Sequence, residues 1–223
     1  MAFQYSCFIS YRHVQYDLGS RFLEKFLEAL KSHIELEIEL DGVPSDEQIY
    51  IDRERLKGGY LFNNALADAL CRSVCMIVIF TPTYFSKQKT YCAREFLAMK
   101  KLEEKRLKQM GDRKMGLIIP IVLKGFDALP PEIKQERQCY DFSDYSLATP
   151  DILTHPVYNR QVAEIASYIR EVHERLTDIG ADWCAECPQY TLPSDEEVQP
   201  FLEQLVAKPH RQLFPFRTET HAA

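Results

Sequence analysis

The feature of this sequence that most constrains its fold is a run of six apolar residues, 75–80 (CMIVIF), which ends at Thr81-Pro82-Thr83. A strand with one face in water alternates apolar and polar residues, whereas a strand covered on both faces stays apolar throughout. Residues 117–123 form a similar run that contains Pro120, which removes one ladder hydrogen bond and favours a position near a sheet edge. The two runs predict buried strands of a parallel sheet.

Strand-like and helix-like segments alternate along the rest of the chain. Extended segments rich in aromatic and β-branched residues are predicted at 3–11, 48–51 and 138–142. Amphipathic helices are predicted from residue 17 to 30, at 62–70, from residue 90 onward and at 162–179. This order of elements predicts an α/β fold with a parallel sheet, in which ligands bind outside the carboxyl ends of the strands.

A hairpin is predicted between the first helix and the second strand. Residues 34–40 alternate apolar and acidic side chains, and Asp41-Gly42 is a strong turn signal. We therefore expect residues 34–40 to be extended and to join residues 48–51 as a hairpin extension of the second strand.

The charge balance and the absence of long apolar runs exclude several classes of partner. The formal net charge is −6, and the basic-looking run 100–114 contains Glu103, Glu104 and Asp112, so it is predicted to be a solvated helix face. We expect no direct nucleic-acid binding, because phosphate neutralisation needs clustered positive charge. No charged leader precedes the first strand and no apolar run approaches the ~18 residues of a membrane span. A soluble, cytoplasmic protein without membrane contact is therefore expected.

The cysteines predict reduced thiols rather than disulfides or a metal site. The chain has seven cysteines, an odd number, and most of them fall inside predicted strands and helices, where buried thiols are common. Cys184 and Cys187 form a CxxC pair, but a closed zinc site needs four ligands and no second pair follows. No bound metal is expected.

The composition changes after about residue 178, and this change predicts a C-terminal extension, 179–223. Five of the twelve prolines lie between Pro188 and the C-terminus. Ser194 and Glu197 have the spacing of a capping box before a short amphipathic helix, which Pro200 weakens. Residues 213–216 (LFPF) add an apolar patch. Two interpretations remain open: a tail strapped across its own domain, and a docking element for another chain.

The helix predicted after residue 90 carries the candidate catalytic carboxylate. Thr90 is the candidate N-cap, and Glu95 falls beside the apolar face formed by Cys92, Phe96 and Met99. A carboxylate in the first turn of a helix is favoured in its ionised form by the helix macrodipole, and Arg94 adds a neighbouring positive charge. Taken alone, such a glutamate is most often a solvated or capping residue.

Four sequence blocks occur in an order that resembles one known family. They are residues 8–12 (FISYR), residues 50–53 (YIDR) with a basic loop to Gly59, residues 80–85 (FTPTYF) and residues 91–96 (YCAREF). Together they resemble a Toll/interleukin-1 receptor (TIR) domain over residues 2–178, and residues 118–121 (IIPI) resemble the fourth strand of that family. The resemblance implies a flavodoxin-like, five-stranded parallel sheet with helices on both faces, in a domain that covers residues 1–178.

The resemblance also implies an activity. The enzymatic branch of the family occurs in bacterial antiviral systems, in plant immune receptors and in the animal axon-degeneration NAD hydrolase. In that branch a glutamate in the matching helix carries catalysis, and Glu95 occupies its position. NAD+ would be the substrate, and no cofactor is expected. The substrate-binding residues implied by the resemblance are Ser10, Arg12, His13, Asp52, Gly59, Leu61, Phe62, Thr81 and Tyr91.

Two positions depart from the family pattern. Tyr91 stands where several family enzymes have tryptophan, and Leu61 or Phe62 stands where the animal enzyme has an aromatic residue in the loop. By resemblance, Tyr91 would stack against the substrate, and Arg12 and His13 would lie near the phosphates or the adenosine. The departures leave the orientation of the substrate open, and with it the choice between a linear and a cyclic product.

Chemistry gives a separate reason why one carboxylate can suffice. Ordinary glycosidases use two carboxyl groups, one of which protonates the leaving alcohol. The nicotinamide of NAD+ is already cationic and departs neutral, so no general acid is needed. An ionised glutamate in a partly dry cleft can then stabilise the oxocarbenium-like transition state.

Other functions are compatible with the same residues. A non-enzymatic TIR scaffold would assemble through homotypic contacts of the loop 52–59, and a nucleoside deoxyribosyltransferase, whose fold is related, also uses a glutamate. Glu95 favours the enzyme, since a pure scaffold has no need of a carboxylate there. The resemblance implies a defence or signalling effector activated by self-association. The ~45 residues after the core are too few for a sensor domain, so a separately encoded activator protein is expected.

Overall fold

The computed structural model describes residues 3–12, 17–44, 47–51, 61–112, 114–145 and 152–207. Strands and helices alternate through these residues, as the sequence predicts. The strands are β1 (Tyr5–Tyr11), β2 (Ile49–Tyr50), β3 (Ser73–Phe80), β4 (Ile118–Val122) and β5 (Tyr140–Asp141). The α-helices are α1 (Asp17–Glu37), α2 (Phe62–Cys71), α3 (Tyr91–Met110), α4 (Pro131–Glu136), α5 (Pro156–Asp178) and α6 (Asp195–Ala207).

The five strands form one parallel sheet with the order β2-β1-β3-β4-β5. Cys7 of β1 pairs with Ile49 of β2 on one side and with Cys75 of β3 on the other. This is the flavodoxin-like order, and it confirms the predicted fold class. All eight residues of β3 are buried. Because successive side chains of a strand point to opposite faces, this burial means that both faces of the sheet are covered.

Pro120 is accommodated close to the edge of the sheet. It pairs with Val78 of β3, whereas the neighbouring edge strand β5 pairs only with Ile121 and Val122. The residue without an N–H group therefore lies outside the short β4–β5 pairing. The prediction of a position near an edge is confirmed.

The predicted hairpin at residues 34–40 is wrong, because α1 continues to Glu37. Ile34 and Ile38, four residues apart, are both buried, whereas Leu36 between them is 83% exposed. An extended segment would place all three on one face. The alternating apolar and acidic residues therefore begin inside a helix and do not form a strand. Of the predicted hairpin, only the turn at Asp41-Gly42 is confirmed, with a φ of 74° at Gly42.

The charged run 100–114 is only partly solvated, so the prediction that it forms a solvated helix face is wrong in part. Lys101, Glu104 and Lys105 are exposed, but Glu103 and Arg106 are buried. Glu103 Oε1 accepts from the backbone N–H of Leu117 at 2.6 Å and from Arg137 at 2.7 Å. Arg106 donates to the carbonyl oxygens of Ser73 and Cys71 at 2.8 and 2.6 Å. Both side chains are buried because they satisfy backbone groups at the starts of β4 and β3.

The chain after α5 packs on its own domain as far as it is described. Trp183 Nε1 donates to the carbonyl oxygen of Leu176 at 2.9 Å, and the Tyr190 hydroxyl donates to that of Ala98 at 2.6 Å. The predicted capping box is confirmed: the N–H of Ser194 donates to Glu197 Oε2 at 2.7 Å, and the N–H of Glu197 donates back to Ser194 Oγ at 3.3 Å. The apolar patch at 213–216 lies outside the described residues.

Helix α6, predicted in the extension, packs against α3. Val198 and Leu202 contact Ala93, and the ring of Phe201 stacks on that of Phe96 with centroids 5.8 Å apart. Within the described residues, the extension is therefore a strap across the helix that carries Glu95.

A disulfide joins Cys71 at the end of α2 to Cys187 in the extension, so the expectation that all cysteines are reduced is wrong. Cys71 does lie buried in a helix, as the pattern predicts. Its partner is 116 residues away in sequence and reaches it only because the extension returns across α2. Because Cys187 is bonded to Cys71, the CxxC sequence does not supply two free thiols, and Cys184 remains as a buried free thiol. In the described ranges, no cluster of His, Cys, Asp and Glu side chains is arranged to hold a metal ion.

None of the helices in the described part of the chain combines the length and the apolarity that a membrane crossing requires.

Candidate functional site

The candidate site lies where the order of the sheet reverses. The chain enters β1, continues to β2 on one side and then crosses to β3 on the other, and in sheets of this kind ligands bind at the carboxyl ends of the two strands where the order reverses, here β1 and β3. Ser10 and Arg12 lie at the end of β1, and Thr81 directly follows β3. Helix α3 follows this turn and brings Glu95 to the same place.

Glu95 is the fifth residue of α3 and lies in the second helical turn, not in the first turn as predicted. Only 6% of its surface is exposed, so burial, rather than the helix terminus, sets its environment. Thr90 occupies the N-cap position but does not cap the helix, because its hydroxyl donates to Asp195 Oδ1 at 2.6 Å. A capping contact at the start of the helix therefore does not place the carboxylate, which instead contacts Ser10 of β1.

Two hydroxyl groups lie in series beside the Glu95 carboxylate. Ser10 Oγ donates to Glu95 Oε2 at 2.5 Å, and the same Ser10 oxygen lies 2.5 Å from the hydroxyl oxygen of Tyr84. A 2.5 Å separation is typical of an O–H group bound to an ionised carboxylate. The site thus joins β1, the loop after β3 and α3 through three buried polar side chains.

Tyr84 was not among the predicted site residues. It is placed by a turn in which its N–H donates to the carbonyl oxygen of Thr81 at 2.9 Å, and its ring packs against Phe80 and Phe85. Burial raises the pKa of the Tyr84 hydroxyl well above its usual value, with smaller contributions from Cys92 and Glu95. The signal that could have found it is a tyrosine within four residues of the end of a central strand.

An exposed aromatic pair lies one helical turn from Glu95. Tyr91 is 43% exposed, and its ring meets that of Phe62 edge-to-face with centroids 5.0 Å apart. Residues four apart on a helix have Cβ atoms ~5–6 Å apart, so Tyr91 neighbours Glu95. Leu61, just before α2, is also exposed. These three predicted residues form an apolar surface that is open to a ligand.

Thr81 belongs to the turn that positions Tyr84, and Arg12, which follows β1, contacts that turn. Arg12 Nη1 donates to the carbonyl oxygen of Thr83, and Thr81 Oγ1 is 3.4 Å from Thr83 Oγ1. Of the other predicted substrate-binding residues, His13, Asp52 and Gly59 lie outside the described residues.

Arg94, next to Glu95 in sequence, contacts the C-terminal extension. It is buried, its Nε donates to the carbonyl oxygen of Pro193 at 2.6 Å, and its guanidinium lies 5.2 Å from the ring centroid of Tyr91. The positive charge that adjoins Glu95 in sequence therefore binds the extension and the exposed tyrosine.

A family model described as "TIR domain" matches residues 7–153, about two thirds of the chain. The matched region begins in β1 and includes Ser10, Tyr84, Tyr91 and Glu95, whereas the strap formed by the extension lies beyond it. A comparison with curated proteins finds no match.

Proposed function

The chain belongs to the TIR-domain family, and we propose that it is an enzyme of this family that cleaves the bond between nicotinamide and ribose in NAD+. The observation that carries the proposal is the buried Glu95 carboxylate, bound by the Ser10 hydroxyl and one helical turn from the exposed Tyr91 ring. A buried carboxylate is costly to maintain without a compensating role. This cost argues against the competing function, a scaffold that only self-associates.

The proposed reaction uses the negative charge of Glu95. As the C–N bond breaks, its electron pair leaves with the nicotinamide, whose ring nitrogen becomes neutral, and positive charge develops on the ribose ring. A fixed carboxylate beside the ribose stabilises that charge, as preorganised electrostatics do in other enzymes. Water then adds to the ribose and releases one proton, which gives ADP-ribose. Attack by the adenine of the same molecule instead gives a cyclic product.

The exposed rings supply the rest of the site in this proposal. The exposed parts of the Tyr91 and Phe62 rings offer apolar surface for the nicotinamide ring, with Leu61 next to Phe62 in sequence. Arg12 contacts Thr83 in the turn after β3, and in this proposal the diphosphate lies beside that turn. The roles of His13, Asp52 and Gly59 remain proposals from the sequence resemblance.

The decisive experiment is nicotinamide release by the purified chain and by Glu95→Gln, which removes the charge and preserves the shape. The rate should fall at least roughly 100-fold, the scale of a lost transition-state contact. Glu104→Gln is the matched control, because Glu104 lies exposed on the same helix. Its rate and melting temperature should equal those of the parent chain. Full NAD+ cleavage by Glu95→Gln would overturn the proposal.

We also propose that self-association switches the enzyme on, since the loop 52–59 contains charges of both signs that suit a contact between copies. A separately encoded activator would promote the assembly, as part of a defence or signalling response. Specific activity should then rise with chain concentration, together with the oligomer fraction measured by light scattering. An equal rate per chain in a dilute monomer would contradict this part and leave the role of Glu95 intact.

A further inference from the structure

We propose that Tyr84 is a positioning residue for Glu95 that acts through the Ser10 hydroxyl. The effect on catalysis rests on the proposed function, whereas the effect on the Glu95 side chain does not. The inference begins with the shared oxygen: Ser10 Oγ is 2.5 Å from both Glu95 Oε2 and the Tyr84 hydroxyl oxygen.

The direction of the two hydrogen bonds follows from counting protons. A serine hydroxyl carries one proton and two lone pairs. Because Ser10 donates that proton to Glu95, its oxygen can only accept from Tyr84. The Tyr84 hydroxyl is therefore the donor at the start of a chain that ends on the carboxylate. Successive bonds of such a chain polarise and strengthen one another in a buried setting.

The three residues lie on separate elements, so the chain of hydrogen bonds joins these elements to one another. Ser10 is in β1, in register with Val78 of β3, and Tyr84 is in the turn directly after β3. Glu95 is on α3, which the extension also contacts. A glutamate has three rotatable side-chain bonds, so a fixed hydroxyl at Oε2 restricts how far the carboxylate can turn relative to the sheet.

Packing alone does not account for the Tyr84 hydroxyl. Tyr158 is a second fully buried tyrosine, but its hydroxyl has no hydrogen-bond partner within the described residues. The ring of Tyr158 packs against Phe142 and Tyr145, away from Ser10. Tyr84 and Tyr158 are thus both fully buried, but they differ in whether the hydroxyl contacts the site. Tyr158→Phe is therefore a matched control for Tyr84→Phe.

The first test uses steady-state kinetics of NAD+ cleavage. Tyr84→Phe should lower kcat roughly tenfold, the effect of one lost hydrogen bond, and change KM less than about twofold. Tyr158→Phe should leave both constants unchanged. In a Ser10→Ala background, Tyr84→Phe should have no further effect, because the link is already absent. Ser10→Thr, which keeps the hydroxyl, should retain most of the parent kcat.

The second test needs no activity. The glutamate side chains are labelled with ¹³C, and the Glu95 signal is assigned by its absence from the spectrum of Glu95→Gln. NMR relaxation should then show that the Glu95 carboxyl is more mobile in Tyr84→Phe than in Tyr158→Phe. A parent chain that cleaves no NAD+ would overturn the proposed function, and this measurement would still decide the role of Tyr84. Unchanged carboxyl mobility in Tyr84→Phe, or an additive kinetic effect with Ser10→Ala, would overturn the positioning role.

Discussion

Arg94 Nε donates a 2.6 Å hydrogen bond to the carbonyl oxygen of Pro193, so a buried guanidinium joins the helix of Glu95 to the C-terminal extension. Two residues away in the extension, Asp195 accepts from Thr90 at the start of the same helix. The strap therefore restrains the first turns of α3, where the candidate catalytic carboxylate lies. The extension is part of the structure that holds the site.

Replacement of Arg94 by alanine should loosen this strap. We expect Arg94→Ala to lower the free energy of unfolding by about 1.5–3 kcal/mol, the usual net value of a hydrogen bond to a charged group. Lys101→Ala is the control, since it removes a pair with Glu197 that also joins α3 to the extension but is exposed on both sides. Exposed pairs contribute little to stability. Urea unfolding and limited proteolysis of residues 179–207 should separate the two variants. Equal stability losses would contradict a specific role for the buried bond.

The Cys71–Cys187 disulfide closes a covalent loop between residues 116 positions apart and should stabilise the fold. Cys187→Ser should lower the free energy of unfolding by about 2–4 kcal/mol under oxidising conditions. A reductant should destabilise the parent chain and leave the variant unchanged. Cys139→Ser, at a partly exposed thiol, is the control. Thiol titration of the unfolded, unreduced protein should find five thiols. Seven thiols would contradict the bond.

Stability should depend on pH through His173. Burial lowers the pKa of this imidazole below its usual value near 6.5, against smaller opposing effects of Glu174 and Asp41, and its ring meets Phe3 edge-to-face. The folded state therefore binds the proton more weakly than the unfolded state. The stability that depends on a neutral His173 is present above about pH 6.5 and falls as the pH drops toward the lower, folded-state pKa.

The variant His173→Gln cannot titrate at this position. Urea unfolding of both proteins between about pH 7.5 and about pH 5 should show the parent chain losing stability relative to the variant. A constant difference between the two proteins across this interval would show that the burial of His173 does not affect its protonation.

The strands could be predicted because their signals are local. Residues 75–80 and 117–123 need only their own apolar side chains to indicate buried strands, and both are confirmed. The hairpin failed because Ile34 and Ile38 satisfy a helical period as well as an alternating one, and tertiary burial decided between them. The order of the sheet came from the resemblance, since no local pattern specifies which strands are neighbours.

The site could be predicted only where a motif carried it. The position of Glu95 follows from the resemblance, but its burial does not, because the Ser10 contact spans 85 positions in sequence. The same holds for Tyr84, which lies 74 positions from Ser10. The burial of Glu103 and Arg106 and the disulfide of Cys71 could not be predicted for a related reason: the partner of each residue lies on an element distant in sequence. The roles of these residues depend on contacts between parts of the sequence that lie far apart, and periodicity does not reveal such contacts.

Tyr91 provides the sharpest test of how the substrate is held. Its ring is exposed, packs edge-to-face on Phe62 and stands where several family enzymes have tryptophan. Aromatic contacts contribute about 0.5–1.5 kcal/mol beyond the area that they bury. Tyr91→Ala should therefore raise KM for NAD+ about three- to tenfold and change kcat less, whereas Tyr91→Trp should keep KM near the parent value.

Leu36→Ala is the control for this test, because it removes an exposed apolar side chain on α1 and should change neither constant. Tyr91→Ala should lower the melting temperature only modestly, because it removes the ring contacts with Phe62 and Arg94, and Tyr91→Trp should keep it near the parent value. A Tyr91→Ala chain with an unchanged KM and a strongly reduced kcat would assign Tyr91 to the orientation of Glu95, one turn further along α3, rather than to stacking on the substrate.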